Sequence, residues 1–170
     1  MDRCRECEFV YDELPEEQIG AALRHLVPQY GTVLASDSSK LQAHPIAGVW
    51  SALEYACHVR DVFEVQRERV ELALAKEEPT FEPMGRDERV VRDRYNEQDP
   101  TDVERELAIA ARTLAEVFDG LSPAELARCG IYNWPERAPQ TIAWIGRHTV
   151  HEGRHHLRDI EHVLGAADDD

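Results

Sequence analysis

The stretch Thr141–Leu164, TIAWIGRHTVHEGRHHLRDIEHVL, carries five of the eight histidines of the chain and restricts what it can become. On a helix turning ~100° per residue, His148, His151 and His155 fall at i, i+3 and i+7 and share one face, while His156 and His162 do not. His151 and His155 are an i, i+4 pair, so both imidazoles can reach one metal ion from adjacent turns without bending the backbone. A third ligand must then come from another helix.

The 170 residues suit one ordinary domain. The chain is read as a single unit over 1–170, with a core from about 16 to 164 and an N-terminal extension over 1–13. A formal charge of −15 argues against nucleic acid, whose phosphates need clustered Lys and Arg. No apolar run approaches the ~20 residues that span a bilayer, and the charged start MDRCRECE lacks a signal-peptide core, so a cytoplasmic protein away from membranes is expected. Four cysteines, only two of them closely spaced, do not make a secreted disulfide framework.

Cys4 and Cys7 form Cys-x-x-Cys, half of a zinc-ribbon signature without a second half nearby. They are read as plain thiols, as a small structural metal site completed by distant ligands, or as a redox pair. Leu14-Pro15-Glu16-Glu17 opens a first helix with Ile19, Leu23, Leu26 and Val27 at helical spacing, expected to reach Leu34 or Ala35 and to kink at Pro28. Ser36–Trp50 is a long connection. Ser51-Ala-Leu-Glu54 is a capping box that starts a second helix with Leu53, Ala56, Val59, Val62, Phe63, Val70 and Leu74 inward. His58 lies about two turns in, with Glu54 one turn before it and Asp61 one turn after it.

A long crossover follows, punctuated by Pro79, Pro83, Gly85 and Pro100 and with room for one short helix. Thr101-x-x-Glu104 reads as another capping box, introducing a third helix to about Phe118 that Gly120 ends. Ser122-Pro-Ala-Glu125 starts a short helix. The irregular CGIYNWPERAP then brings Tyr132 and Trp134 in front of the histidine-rich helix, which Gly165 should stop. No strand pattern stands out. The expected class is all-α: four long helices with long connections, in an antiparallel or mixed bundle whose facing helices can hold a metal.

The proposed ligands are His58, His151 and His155. Three neutral imidazoles on one side of a metal leave the other open for water or a substrate atom. His148 is the rival, able to replace one of them or to close the site as a fourth ligand, and His156 is expected to pair with Glu152 instead of ligating. Asp159 or Glu54 can accept a ligand imidazole N–H. Trp144, with Tyr132 and Trp134, can wall the substrate mouth. Imidazole donors alone leave zinc, nickel, copper and iron open.

Trp50-Ser51-Ala-Leu-Glu54-Tyr-Ala-Cys-His58-Val-Arg-Asp61, followed about ninety positions later by His151-Glu-Gly-Arg-His155-His156, resembles the DinB-like superfamily of YfiT-like metalloenzymes over roughly Glu16–Leu164. The resemblance implies a four-helix bundle in up-down-down-up order and a divalent metal, zinc or nickel first, on His58, His151 and His155. It also implies mycothiol or bacillithiol as co-substrate in some relatives, and it says nothing of Cys4 and Cys7.

Three functions follow as expectations. The first is a metal-dependent thiol S-transferase acting on a small molecule, in which coordination deprotonates a thiol of pKa about 8.5 into a nucleophile. The second is a hydrolase in which the metal activates water and Glu54 or Asp61 is the base. The third is a non-catalytic metal-binding or interaction domain, in which amphipathic helices associate as a homodimer on one face.

Overall fold

A computed structural model of the chain describes residues 3–133 and 137–168. In chain order it contains α1 (Ile19–Leu34), α2 (Ser38–Gln42), α3 (Ala52–Ala75), α4 (Arg86–Arg92), α5 (Pro100–Gly120), α6 (Pro123–Leu126), β1 (Cys129–Tyr132), β2 (Ala138–Thr141) and α7 (Ile142–Asp168). Helices α1, α3, α5 and α7 form the expected four-helix bundle in up-down-down-up order. α1 and α3 each pack against both α5 and α7, so they sit on opposite corners. Consecutive long helices α1 and α3, like α5 and α7, therefore cross the bundle diagonal, which explains the long connections. None of the described helices is long and apolar enough to cross a membrane.

Helices α2, α3, α5, α6 and α7 begin where the sequence offers a side-chain acceptor to the free amides of the first turn, whereas α1 and α4 start without one. Ser51 Oγ accepts from the Glu54 amide (3.1 Å), and the Glu54 carboxylate accepts from the Ser51 amide (2.8 Å), completing the capping box of α3. Ser122 and Glu125 repeat it on α6. α5 differs from expectation: Asp99 is its cap, accepting from the amides of Thr101 (2.8 Å) and Asp102 (3.3 Å), with Pro100 in the first turn. A carboxylate followed by proline starts a helix at least as well as Thr101 would. Thr141 Oγ1 accepts from the Trp144 amide (3.0 Å) and starts α7.

Two further expectations need correction. α7 runs through Gly165 to Asp168, because Gly165 does not take the left-handed φ that would end the helix there. The segment before α7 is a small antiparallel hairpin, pairing Cys129 with Thr141 and Tyr132 with Ala138. Its strands are four residues each, too short to show alternation. Gly130 is required there, since a Cβ would lie 2.1 Å from the Phe81 ring.

The phase of α7 is set by its contact with α1 and α3. Thr149, Gly153, His156, Ile160 and Val163 recur at i, i+4, i+7, i+11 and i+14, and all are buried. At Gly153 an added Cβ would lie 2.4 Å from Leu26 Cδ1, and the Tyr30 hydroxyl donates to the Gly153 carbonyl (2.8 Å), so α1 touches the α7 backbone itself. On the other side, α3 buries nearly its whole circumference from Ala52 to Phe63, including Arg60 and Asp61. Asp61 accepts from Arg60 Nε (2.9 Å), from Arg89 of α4 (2.9 Å) and from the Tyr95 hydroxyl (2.5 Å). Arg60 also donates to Gln98 (2.8 Å) and to Glu106 of α5 (2.9 Å). One buried carboxylate thus ties the crossover over residues 76–99 down onto α3.

Gly153→Val should destabilise the fold by ~1–3 kcal/mol, since it overpacks a contact with no spare room; the urea midpoint should fall with an unchanged slope. Asp61→Ala should cost about 3 kcal/mol, because it takes a charge partner from the buried Arg60 guanidinium and from the half-buried Arg89; equal midpoints for wild type and variant would refute that role.

Candidate metal centre

His58 points from the second turn and a half of α3 into the bundle and is 3% exposed. Its Nδ1 is buried and makes no hydrogen bond. That is an orphan donor or acceptor of a kind native interiors avoid unless it serves something else. Its ring lies 5.0 Å, centroid to centroid, from that of His156 on α7, and Trp50 closes its other edge at 5.2 Å. His58, Glu152 and His156 each offer one ligand atom, all within 4.8 Å of one another. His156 is oriented from behind by Asp159, whose Oδ2 lies 2.8 Å from Nδ1, while its Nε2 lies 3.6 Å from Glu152 Oε2.

The electrostatics favour a cation at this point. Burial, then the positive His156 beside it, pushes the His58 imidazole down to about 4, so it is a neutral ligand at physiological pH. For His156 burial opposes the charge, but Asp159 and Glu152 outweigh it and raise the imidazole to about 9. Glu152 is half-buried and desolvation opposes its charge, yet its carboxyl is held well below the usual range by His151 and His156, with His148 adding to them. The carboxylate therefore stays ionised in the centre of a cluster of imidazoles. His151 Nδ1 lies 3.3 Å from it and His148 Nε2 3.9 Å.

The structure does not bring His58 together with both His151 and His155. The latter pair meets Cys4 and Cys7 of the N-terminal extension instead, forming a second group with ligand atoms within 4.8 Å of one another. Residues 151/155 and 152/156 are both i, i+4 pairs, one position out of step, so they look in directions ~100° apart. The tertiary contact decides which of them faces α3. The expected pairing of His156 with Glu152 is present (3.6 Å), and the two together face His58, so the candidates that sequence reasoning read as a non-ligating pair are the ones grouped with it. The buried stripe from Thr149 to Val163 carried the signal, since His156 lies on it.

The remaining candidates fall as follows. Asp159 backs His156 directly and lies 3.7 Å from His155 Nε2. Glu54 is engaged by the Ser51 amide and by His44 (2.9 Å), and Asp61 by the arginines and tyrosine above, so neither carboxylate is free for base chemistry. Tyr132 lines the cavity, its hydroxyl 2.6 Å from both Gln66 Nε2 and Arg69 Nη1. Trp144 stands behind it, stacked on His148 at 4.8 Å and on Tyr11 at 5.8 Å. Trp134 lies outside the described residues. His148 also lines the cavity, and its Nδ1 is 2.9 Å from the Tyr11 hydroxyl. That cavity, about 650 Å³, has His58, Glu152 and His156 in its wall together with Arg5, Arg86 and Asn133. It is large enough for a small-molecule substrate beside a metal.

Known structures share this architecture. YfiT from Bacillus subtilis, described as a probable metal-dependent hydrolase with an unusual four-helix bundle topology, superposes with a TM-score of 0.79 at 14% identity, covering 97% of this chain and 95% of that one. A mycothiol-dependent maleylpyruvate isomerase superposes with a TM-score of 0.66 at 16% identity, over 92% of this chain and 63% of that one. No curated protein sequence matches the chain. The family model of the DinB superfamily matches residues 12–160, and the chain belongs to that superfamily.

Proposed function

We propose that the protein is a divalent-metal-dependent enzyme whose metal is held by His58, Glu152 and His156, and that it transfers a low-molecular-weight thiol to an electrophilic small molecule. The observation that carries the metal site is the buried, unpartnered Nδ1 of His58 within a ligand group shared with Glu152 and His156. Two imidazoles and one carboxylate suit zinc, nickel or iron and leave coordination positions toward the cavity. A divalent cation bound there supplies the Lewis acidity that makes a thiol or a water nucleophilic at neutral pH.

The residues of the chain do the rest. His58 brings a neutral imidazole already stripped of water, and Glu152 brings the negative charge that balances the cation. Asp159 fixes the ring of His156 so that Nε2 faces inward. Trp50 and Tyr55 pack on His58 and His156 and keep bulk water from that side. Arg5, Arg69 and Arg86 line the cavity beside Glu6 and Glu82, and their guanidiniums offer donors to a thiol or substrate bearing carboxylates. The thiol-dependent isomerase among the structural neighbours supports this reading. Hydrolysis is the second reading, supported by the closer superposition of the probable hydrolase.

Elemental analysis of untagged protein and an assay of an electrophile with and without a small thiol test both. His58→Ala and His156→Ala should lose the metal and the turnover, and Asp159→Asn should weaken metal binding by ~10–100-fold. Turnover without thiol selects the hydrolase. If His156→Ala keeps metal and activity while His155→Ala loses them, the ligand set is His58, His151 and His155 as first expected.

A further inference from the structure

The N-terminal extension folds back onto α7 as a small hairpin. Arg3 bridges Val10 in antiparallel fashion, and the Cys4 amide donates to the Phe9 carbonyl (2.9 Å). The turn between them holds Cys4 and Cys7, with Glu8 in the left-handed region at φ 60°. The amides of Glu6 and Cys7 donate to the Cys4 sulfur, an arrangement that favours thiolate over thiol. Both cysteines are free. A two-stranded ribbon of this length is marginal in water and needs something to hold it.

Opposite the turn stand His151 and His155, one helical turn apart on α7. Each has one nitrogen occupied by an oxygen and the other turned to the sulfurs. His151 Nδ1 lies 3.1 Å from the Tyr11 hydroxyl, while its Nε2 is buried without a partner on a residue only 9% exposed. His155 Nε2 lies 3.3 Å from Glu6 Oε2, while its Nδ1 lies 3.8 Å from Cys4 Sγ. Metal-binding histidines are oriented in this manner, with an outer oxygen selecting the nitrogen that ligates. The four ligand atoms lie within 4.8 Å of one another. Tetrahedral zinc, with bonds of about 2.0–2.3 Å, needs ligand atoms roughly 3.3–3.8 Å apart, so a contraction of about 1 Å closes the shell.

We propose that Cys4, Cys7, His151 and His155 form a second, closed metal site that takes zinc and clamps the N-terminal hairpin to α7. Two thiolates neutralise the dication and favour zinc over harder metals, and four protein ligands leave no position for substrate. The site shares no residue with His58, Glu152 and His156, so it stands whether or not that centre is catalytic. Its purpose follows from what the hairpin carries. Cys4, Arg5 and Glu6 line the same cavity, and Tyr11, which ends the ribbon, reaches His148 and His151 with its hydroxyl. Clamping the hairpin builds one wall of the cavity.

The test uses the full, untagged chain purified under reducing conditions, metal-stripped and titrated with cobalt(II). Wild type should develop thiolate-to-cobalt charge-transfer absorption. A Cys4→Ser, Cys7→Ser double variant should lose that absorption and one equivalent of metal while circular dichroism still shows a folded bundle. His58→Ala should keep the absorption and lose the other equivalent. The double variant should bind zinc at the clamp more than about 100-fold more weakly, beyond the loss expected for an outer partner. In wild type, zinc should shield Cys4 and Cys7 from alkylation, and a chelator should expose them. Absence of the cobalt–thiolate band in reduced wild type, its survival in the double variant, or equal alkylation with and without zinc would each overturn the clamp.

Discussion

A half-buried carboxylate ringed by imidazoles is the interaction that the rest of the molecule has to accommodate. Glu152 sits within ligand distance of His58 and His156 and close to His148 and His151, while its own charge is opposed by burial. An ionised group so placed is costly unless its partners are held rigidly around it. α7 supplies most of those partners, α3 supplies His58, and the N-terminal segment supplies Tyr11, which fixes His148 and His151. The bundle around this cluster is therefore a device for holding three separate pieces of chain in register.

That requirement explains features that otherwise look unrelated. Gly153 and Gly146 let the side chains of Leu26 and Ile19 from the α1 side, and of Phe118 from across the bundle, reach the α7 backbone, which helps set the rotation of α7 about its own axis. The Asp61 network binds the crossover to α3 without competing for the cavity, so a carboxylate near His58 in sequence ends up structural. Burial pushes the Cys57 thiol up to about 12, with Arg60 only partly offsetting it, so this cysteine on the His58 helix packs as a hydrophobe and is kept out of thiol chemistry. Cys4 has the opposite setting. Although burial raises it, the amides of Cys7 and Glu6 and the nearby His151 bring it down to about 6.

Local signals in the chain were legible where the physics is local. The capping boxes at Ser51 and Ser122, the apolar spacing of Ile19, Leu23 and Leu26, and the i, i+4 histidine pairs each follow from hydrogen bonds or periodicity within a few residues. The start of α5 was misplaced by two residues because Asp99-Pro100 and Thr101-x-x-Glu104 are competing caps, and a carboxylate acceptor prevailed. The β1–β2 hairpin was missed since its stability comes from Phe81, Gln66 and Arg69, which are far away in sequence. Glu152 was legible only as a partner one turn before His156, because nothing within α7 shows that the pair faces His58 of another helix.

By itself the sequence determined that this chain is a helical bundle, that one long helix carries closely spaced imidazoles, and that His58 answers them from another helix. Those properties are periodic and are read along one helix at a time. Only the tertiary structure decided how the imidazoles are shared out. Adjacent i, i+4 pairs diverge by ~100°, and the contact of α7 with α1 and α3 turns Glu152 and His156 toward His58 while leaving His151 and His155 to face Cys4 and Cys7. The rotation of a helix about its axis is fixed by what packs against it, and no residue of that helix alone encodes it.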